Sequence, residues 1–419
     1  MSYESKYIAL APHCFLKRLE EPCLYDIAND ELYEINEEAY QFLLRCSRGE
    51  EIDLKKADEE FIQYCLSENL ITLGQTEAGA EGAPLGSGPG QKATSGSETP
   101  VKKNGIPAQS PIPSLRYLEF QLTDRCNLRC RHCYIGEGLR QDLPYDTILA
   151  ILKEFEKIQG LRLLLSGGEP LLHPHFWEIN EVLRDHAFRS VLLSNGTLIT
   201  QDVAKRLRVH EVQISLDGME QGHEAIRGKG TFIKTLAAIG HLQEAGITVS
   251  IATMIHRENL HEFDSLAFLM QLKKIGEWNV DFPSLAGRME ENRDLWVFPE
   301  EAGPFLHFGY GGGLHSSGKD TTCGTHLCAI LADGRVAKCG LFAQEAIGSI
   351  AEGLRSCWER IPRIGLKELA CNCAVLDECR GGCRYRAKIL GDIFQPDLFQ
   401  CYARGVLKGG EGNDYQKGD

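Results

Sequence analysis

The chain has 419 residues, 43% hydrophobic and 25% charged, which is enough length and apolar content for two to four ordinary domains at about 100–200 residues each. Asp+Glu 59 outnumber Lys+Arg 45, and the resulting net charge of −14 argues against non-specific attachment to nucleic acid or to an anionic membrane face. The start, MSYESKYIALAPHC, has no basic segment followed by an apolar stretch, and no apolar run approaches the ~20 residues of a membrane span, so a soluble, cytoplasmic protein is expected.

Residues 1–75 read as a small α+β module of winged-helix type. Short apolar segments at 7–10, 14–17 and 24–27 are followed by a turn at Asn29-Asp30 and a further segment at 31–35. Asn36 then caps a helix presenting Ala39, Tyr40, Leu43 and Leu44 on one face, and a second helix is expected near 57–68. From 76 to 114 the sequence turns rich in Gly, Ser, Ala and Pro (AGAEGAPLGSGPGQKATSGSETP), the composition of a flexible linker. Residues 115–282 alternate β-rich runs at 117–122, 161–165, 190–193, 212–216, 248–253 and 278–282 with amphipathic helical patterns at 145–158, 174–184, 201–207, 232–245 and 259–272. Six strands with crossover helices make an α/β fold with a parallel sheet, either doubly wound or an incomplete barrel, whose chemistry sits at the carboxyl ends of the strands. A Gly-rich loop at 310–313 leads into a cysteine-rich region with little room for a core, and the Gly- and charge-rich tail at 406–419 is expected to be disordered.

Sixteen cysteines in a chain with no export signal should stay reduced, so metal is a better explanation for them than disulfides. Eleven fall into two groups, at 126–133 and 323–401, while Cys14, Cys23, Cys46, Cys65 and Cys357 stand singly, as small buried hydrophobes do. Directly after the first of these strands, at 117–122, comes Cys126-Asn-Leu-Arg-Cys130-Arg-His-Cys133. Three thiolates on one loop can hold three corners of a cubane, leaving one iron with open positions. A three-Cys zinc site completed by His132 also fits the loop, although zinc thiolates usually come as paired Cys-x2-Cys units.

The loop resembles the signature of the radical S-adenosylmethionine (AdoMet) superfamily, Cys-x3-Cys-x-aromatic-Cys, with His132 in the aromatic position. The resemblance implies a partial (β/α)6 TIM-like barrel in which Cys126, Cys130 and Cys133 bind a catalytic [4Fe–4S] cluster whose fourth iron chelates AdoMet, with His132 and Tyr134 beside the cofactor. Ser166-Gly167-Gly168-Glu169-Pro170 resembles the family's GGEP element, which contacts the AdoMet amino group, and Ser194-Asn195-Gly196 resembles its ribose-contacting position. Ser215-Leu-Asp217-Gly218 with Arg227 downstream resembles a segment of peptide-modifying members and makes Ser215 and Arg227 candidates for the ribose and carboxylate. For Arg227 alone, a surface salt bridge reads as well. Asp281, near the end of the last strand, is equally compatible with a structural role and with that of a base.

The second group reads Cys323-x4-Cys328-x10-Cys339, Cys371-x-Cys373-x5-Cys379-x3-Cys383, then Cys401. Eight thiols suffice for two fully ligated [4Fe–4S] clusters; zinc ribbons are the alternative, disfavoured by the irregular spacing. The pattern resembles the SPASM domain of radical AdoMet peptide maturases, departing from it at Cys371-x-Cys373, where the family has two intervening residues. By that resemblance, residues 115–308 form the radical AdoMet core and residues 309–405 an auxiliary-cluster domain. Cys323, Cys328, Cys339 and Cys383 would hold one cluster and Cys371, Cys373, Cys379 and Cys401 another, three clusters in all. Residues 1–75, through Asp26 and Leu32-Tyr33-Glu34-Ile35-Asn36, resemble the leader-peptide recognition element of enzymes that modify ribosomally made peptides; a bland winged-helix or dimerisation module would read similarly. The resulting expectation is a peptide maturase that forms Cys thioethers, with a flavodoxin- or ferredoxin-type electron donor. A carbon–carbon crosslink, formylglycine formation and a noncatalytic electron-transfer protein are the alternatives.

Overall fold

The computed structural model describes residues 7–50, 52, 58–74, 109–311 and 318–408. The linker expected at 76–114 lies outside these up to residue 108, and the expected tail lies outside them from residue 409. The chain divides into two compact units, Met1–Ile112 and Pro113–Asp419. Among the described residues, no helix is long and apolar enough to cross a membrane.

The first unit opens with β1 (Tyr7–Leu10), β2 (Cys14–Arg18), β3 (Pro22–Asp26) and β4 (Glu31–Glu34), followed by α1 (Glu37–Arg48), α2 (Glu59–Ser67) and β5 (Ile71–Gly74). β2, β3 and β4 form an antiparallel sheet in that order, and β1 pairs antiparallel with β5. The strand β5 escapes sequence reading because it is four residues long and its partner lies more than sixty residues away. Asn36 caps α1, its side chain accepting from the Ala39 N–H at 2.8 Å, and Gly49 closes the helix in the left-handed region at φ 67°. The second helix starts after Asp58, whose carboxylate accepts from the N–H groups of Glu60 and Phe61. Leu16, Leu24, Tyr40, Leu43, Leu44 and Ile62 make the core, which Cys14, Cys46 and Cys65 join as small apolar side chains.

The second unit is built on β6 (Tyr117–Thr123), α3 (Tyr145–Lys157), β7 (Arg162–Gly167), α4 (Phe176–Val182), β8 (Arg189–Ser194), α5 (Gln201–Arg206), β9 (Glu211–Ser215), α6 (Glu220–Arg227), α7 (Thr231–Glu244), β10 (Thr248–Met254), α8 (Phe263–Leu272) and β11 (Trp278–Asp281). β6 to β11 are parallel and lie side by side in chain order. A sheet whose order never reverses has every right-handed crossover on one face, so it curls into a partial (β/α)6 barrel rather than a doubly wound sheet. On β6, Leu118, Phe120 and Leu122 are fully buried in the main core, and Glu119, Gln121 and Thr123 take the opposite face.

The remaining elements are α9 (Pro299–Ala302), β12 (Leu327–Ile330), β13 (Arg335–Ala337), β14 (Gly348–Ser349), α10 (Leu354–Arg360), α11 (Leu376–Cys379), α12 (Arg384–Leu390) and α13 (Leu398–Ala403). β12 pairs parallel with β6, and β13 and β14 extend the same sheet antiparallel. This corrects the expectation of a cysteine-rich region with little core: Ile330, Val336, Leu354, Cys357, Trp358 and Phe399 all belong to the main core. The physical reason is the free edge of β6, which lets the C-terminal segment add strands instead of standing alone.

Candidate active site

The carboxyl ends of the barrel strands deliver the polar groups. After β6 comes the cysteine loop, with Cys126 exposed, Cys130 buried and Cys133 half-buried, the three thiols lying within one another's electrostatic reach. The loop is stapled from two sides. The Arg131 N–H donates to the Ile226 carbonyl at the end of α6 (2.9 Å), and Arg288 donates from Nε to the Cys130 carbonyl (2.9 Å) and from Nη1 to that of Gly136 (2.7 Å). Desolvation by the surrounding protein pushes the Cys126 thiol up to about 11 and raises that of Cys130 as well.

The glycines after β7 pack against this loop. A Cβ on Gly167, at φ 128°, would strike the Thr123 carbonyl, and one on Gly168 would strike that of Arg125. The closeness allows the Gly168 N–H to donate to Thr123 O (2.9 Å) and the Glu169 N–H to Arg125 O (2.7 Å). Glu169 is fully buried; its carboxylate accepts from Ser194 Oγ (3.0 Å) and from the Asn195 N–H (3.0 Å) at the end of β8. Burial raises its carboxyl to about 7, with those hydrogen bonds pulling the other way. Asn195 also donates to Asn127 Oδ1 within the cysteine loop at 3.0 Å. Ser215 ends β9, the next strand over.

Two residues after Ser215, Asp217 is buried, and its carboxylate ion-pairs with Arg227 and lies 4.0 Å from His132 Nε2. Burial alone would raise Asp217, but the Arg227 guanidinium holds it well below the usual carboxylate range. Burial lowers His132 to about 3 and His223 to about 4, so both imidazoles are neutral near pH 7. The Ser166 hydroxyl and His132 Nδ1 are buried without a hydrogen-bond partner among the described residues. Three thiols on one loop beside such unmatched polar atoms fit an iron–sulfur cluster with a polar ligand next to it.

Tyr134 follows Cys133 directly and is half-buried beside it. Its hydroxyl donates to Glu119 Oε1 on β6 (2.9 Å), while Glu119 Oε2 accepts from the Gly340 N–H (2.9 Å) directly after Cys339. Glu119 thus joins the two cysteine groups, and sequence reasoning missed it. Its signal is the run Tyr117-Leu-Glu-Phe-Gln-Leu-Thr123, polar at every second position of a strand otherwise apolar. Asp281 is engaged structurally: its carboxylate pairs with Arg386, which pairs with buried Asp397 at 2.8 Å and so ties β11 to α12.

The C-terminal cysteines separate into two sets. Cys323 and Cys383 share an S–H···S hydrogen bond that pulls Cys323 down and pushes Cys383 up, and Cys339 lies in the same field. Cys371, Cys373, Cys379 and Cys401 line a single cavity with Asp397, so the shortened Cys371-x-Cys373 spacing still brings both thiols to one place. Cys328 stands apart from both sets. It sits on β12 opposite Leu118, fully buried in the main core, and its cysteine neighbour is Cys357 rather than Cys323, Cys339 or Cys383. Parallel pairing places Cys328 on the same sheet face as Leu118, away from the face that carries Glu119. Cys328→Ala should therefore leave the iron content unchanged, whereas Cys383→Ala should remove about four iron atoms per chain, measured by iron assay of anaerobically reconstituted protein.

Residues 120–270 match the profile of the Radical SAM superfamily. The matched segment runs from β6 through α8 and so takes in the three-cysteine loop and most of the parallel barrel. Mycofactocin maturase MftC of Mycolicibacterium smegmatis is 29% identical over 302 residues, covering 64% of this chain and 77% of the relative. AdoMet-dependent heme synthase of Nitratidesulfovibrio vulgaris is 29% identical over 206 residues, covering 47% of this chain, which spans only 56% of that relative's length. SuiB of Streptococcus suis, solved with S-adenosylmethionine, shares the fold at a TM-score of 0.65 and 13% identity, over 94% of this chain and all of SuiB.

Proposed function

We propose that the chain is a radical AdoMet maturase of a ribosomally made precursor peptide, and that it joins a Cys sulfur of that peptide to carbon as a thioether. The observation that carries the thioether reading is the set Cys323, Cys339 and Cys383, three thiols without Cys328. A cubane held by three cysteines keeps one iron free for a substrate thiolate. When bound, AdoMet and its cluster supply a 5′-deoxyadenosyl radical that abstracts substrate hydrogen. Cys126, Cys130 and Cys133 would hold that cluster. Glu169, fixed by Ser194 and Asn195, would offer an acceptor to the AdoMet ammonium, with Ser215 on the neighbouring strand. Cys371, Cys373, Cys379 and Cys401 would hold a third, fully ligated cluster. The reducing electron would come from a flavodoxin- or ferredoxin-type donor. In the first unit, β4 is an edge of its sheet, where a leader peptide can add as a further strand.

The mycofactocin maturase relative supports this reading, as does the likeness to SuiB, which has also been solved bound to a precursor peptide. The heme synthase relative favours a second one, chemistry on a tetrapyrrole, which leaves the first unit without a role. The test is anaerobic incubation of reconstituted enzyme, AdoMet and reductant with small Cys-containing peptides encoded beside the gene, followed by thiol alkylation and mass spectrometry. Loss of two hydrogens per event with one fewer alkylatable thiol is expected. Two-hydrogen loss with every thiol still alkylatable would indicate a carbon–carbon link, and oxidation of Cys to an aldehyde would indicate formylglycine.

A further inference from the structure

We propose that Arg227 is a positioning residue that donates a hydrogen bond to the Cys130 sulfur and so raises the reduction potential of the cluster held by the first cysteine loop. This rests on the reading that Cys126, Cys130 and Cys133 hold that cluster. The resemblance pointed Arg227 toward the AdoMet carboxylate; in the structure two of its nitrogens face Asp217 and Cys130. Nη1 lies 3.8 Å from Cys130 Sγ, and Nε is held by the Asp217 carboxylate. The two side chains are only 9% and 0% exposed.

Asp217 is itself fixed on every side. Its Oδ1 accepts from the Met254 N–H (2.8 Å), its carbonyl accepts from Asn259 Nδ2 (2.6 Å) and lies 3.0 Å from His256 Nε2, and its N–H donates to His223 Nδ1 (3.1 Å). The main chain fixes the other end of the arrangement: the Arg131 N–H, next to Cys130, donates to the carbonyl of Ile226, next to Arg227. The guanidinium is thus held between a carboxylate and the Cys130 thiol, with little solvent to rotate into.

A guanidinium offers five N–H donors in a rigid fork, so Asp217 can occupy one arm while another faces sulfur. The carboxylate largely cancels the long-range charge of the arginine. What remains at Cys130 is the local N–H···S dipole in a low-dielectric setting, where such bonds are strengthened. Added electron density on the cluster spreads onto its cysteine sulfurs, so a donor at the sulfur stabilises the reduced state more than the oxidised one. Reductive cleavage of AdoMet begins with that reduced state, and the arginine would therefore govern how much of it a given electron donor can supply.

The experiment is a redox titration of full-length, fully reconstituted protein without AdoMet, read by electron paramagnetic resonance. The relevant cluster is identified as the signal that changes shape when AdoMet is added and is absent in Cys126→Ala. Arg227→Met should lower the reduced-to-oxidised ratio of that cluster at least tenfold at fixed potential, which is about 59 mV for one electron. Arg227→Lys keeps a cation for Asp217 but lacks the fork, and should shift the ratio in the same direction by less; it decides the matter if the methionine variant loses the cluster. The C-terminal clusters in the same sample should not shift. An unchanged ratio in a variant that keeps the signal overturns the proposal, and weaker AdoMet binding alongside it would return Arg227 to a role at the AdoMet carboxylate. Absence of any Cys126-dependent signal in the unmutated protein would overturn the cluster reading itself, and this proposal with it.

Discussion

Cys126→Ala should abolish reductive AdoMet cleavage, read as loss of 5′-deoxyadenosine by chromatography, while the C-terminal cysteines should keep their iron. Cys126 is the exposed thiol of the loop, so its removal opens no cavity in the barrel core and should leave the fold intact. With three thiols on the loop and Cys323 the nearest cysteine of the other group in sequence, nothing local can replace it. A cubane reduced to two cysteine ligands is not retained, and the loss should be of all measurable cleavage rather than a fraction. The C-terminal sets depend on other elements: Cys339 follows β13, Cys383 precedes α12 and Cys401 lies on α13. Retained cleavage in this variant would remove the site assignment.

Deletion of residues 1–75 should lower peptide modification by about 10²–10⁴-fold at micromolar peptide, because a tethered leader raises the effective concentration of the segment to be modified. Uncoupled AdoMet cleavage should survive, since the first unit folds around its own core of Leu16, Leu24, Tyr40, Leu43 and Ile62 and the barrel has a separate one. The two rates, product peptide by mass spectrometry and 5′-deoxyadenosine by chromatography, should therefore part in the variant. Supplying high concentrations of a leaderless peptide should restore part of the modification. Equal loss of both rates would mean that the unit serves stability, and no change in either would remove the leader-recognition reading.

The barrel strands could be read from the sequence to within a residue or two because each is a short β-rich run between turn signals, either apolar throughout, as on β7, or alternating, as on β6 and β9. The cysteine loop and Glu169 were equally readable, since both follow directly on strand ends. The helix α6 was not: Glu-Gln-Gly-His-Glu-Ala-Ile-Arg holds few apolar residues, and Met219 before it offers no side-chain cap. The place of Cys328 is not legible, because spacing between cysteines does not say which of them lies on a strand; only pairing with β6 reveals that it faces the core. The bond from Gly340 to Glu119 spans 221 residues, which no local pattern encodes, although the alternation on β6 marks Glu119 as facing away from the helix layer; the Asp217–Arg227 pair spans ten residues but depends on α6.

The most direct test of the central claim is hydrogen transfer from peptide to cofactor. The peptide that is modified in the mass-spectrometric assay would be prepared with its side chains and Cα positions deuterated, and the 5′-deoxyadenosine formed during turnover would be analysed for deuterium. One deuterium in the 5′-deoxyadenosine, accumulating in step with modified peptide, is the predicted result. Modified peptide accompanied only by unlabelled 5′-deoxyadenosine would contradict radical abstraction from the peptide and, with it, the maturase assignment.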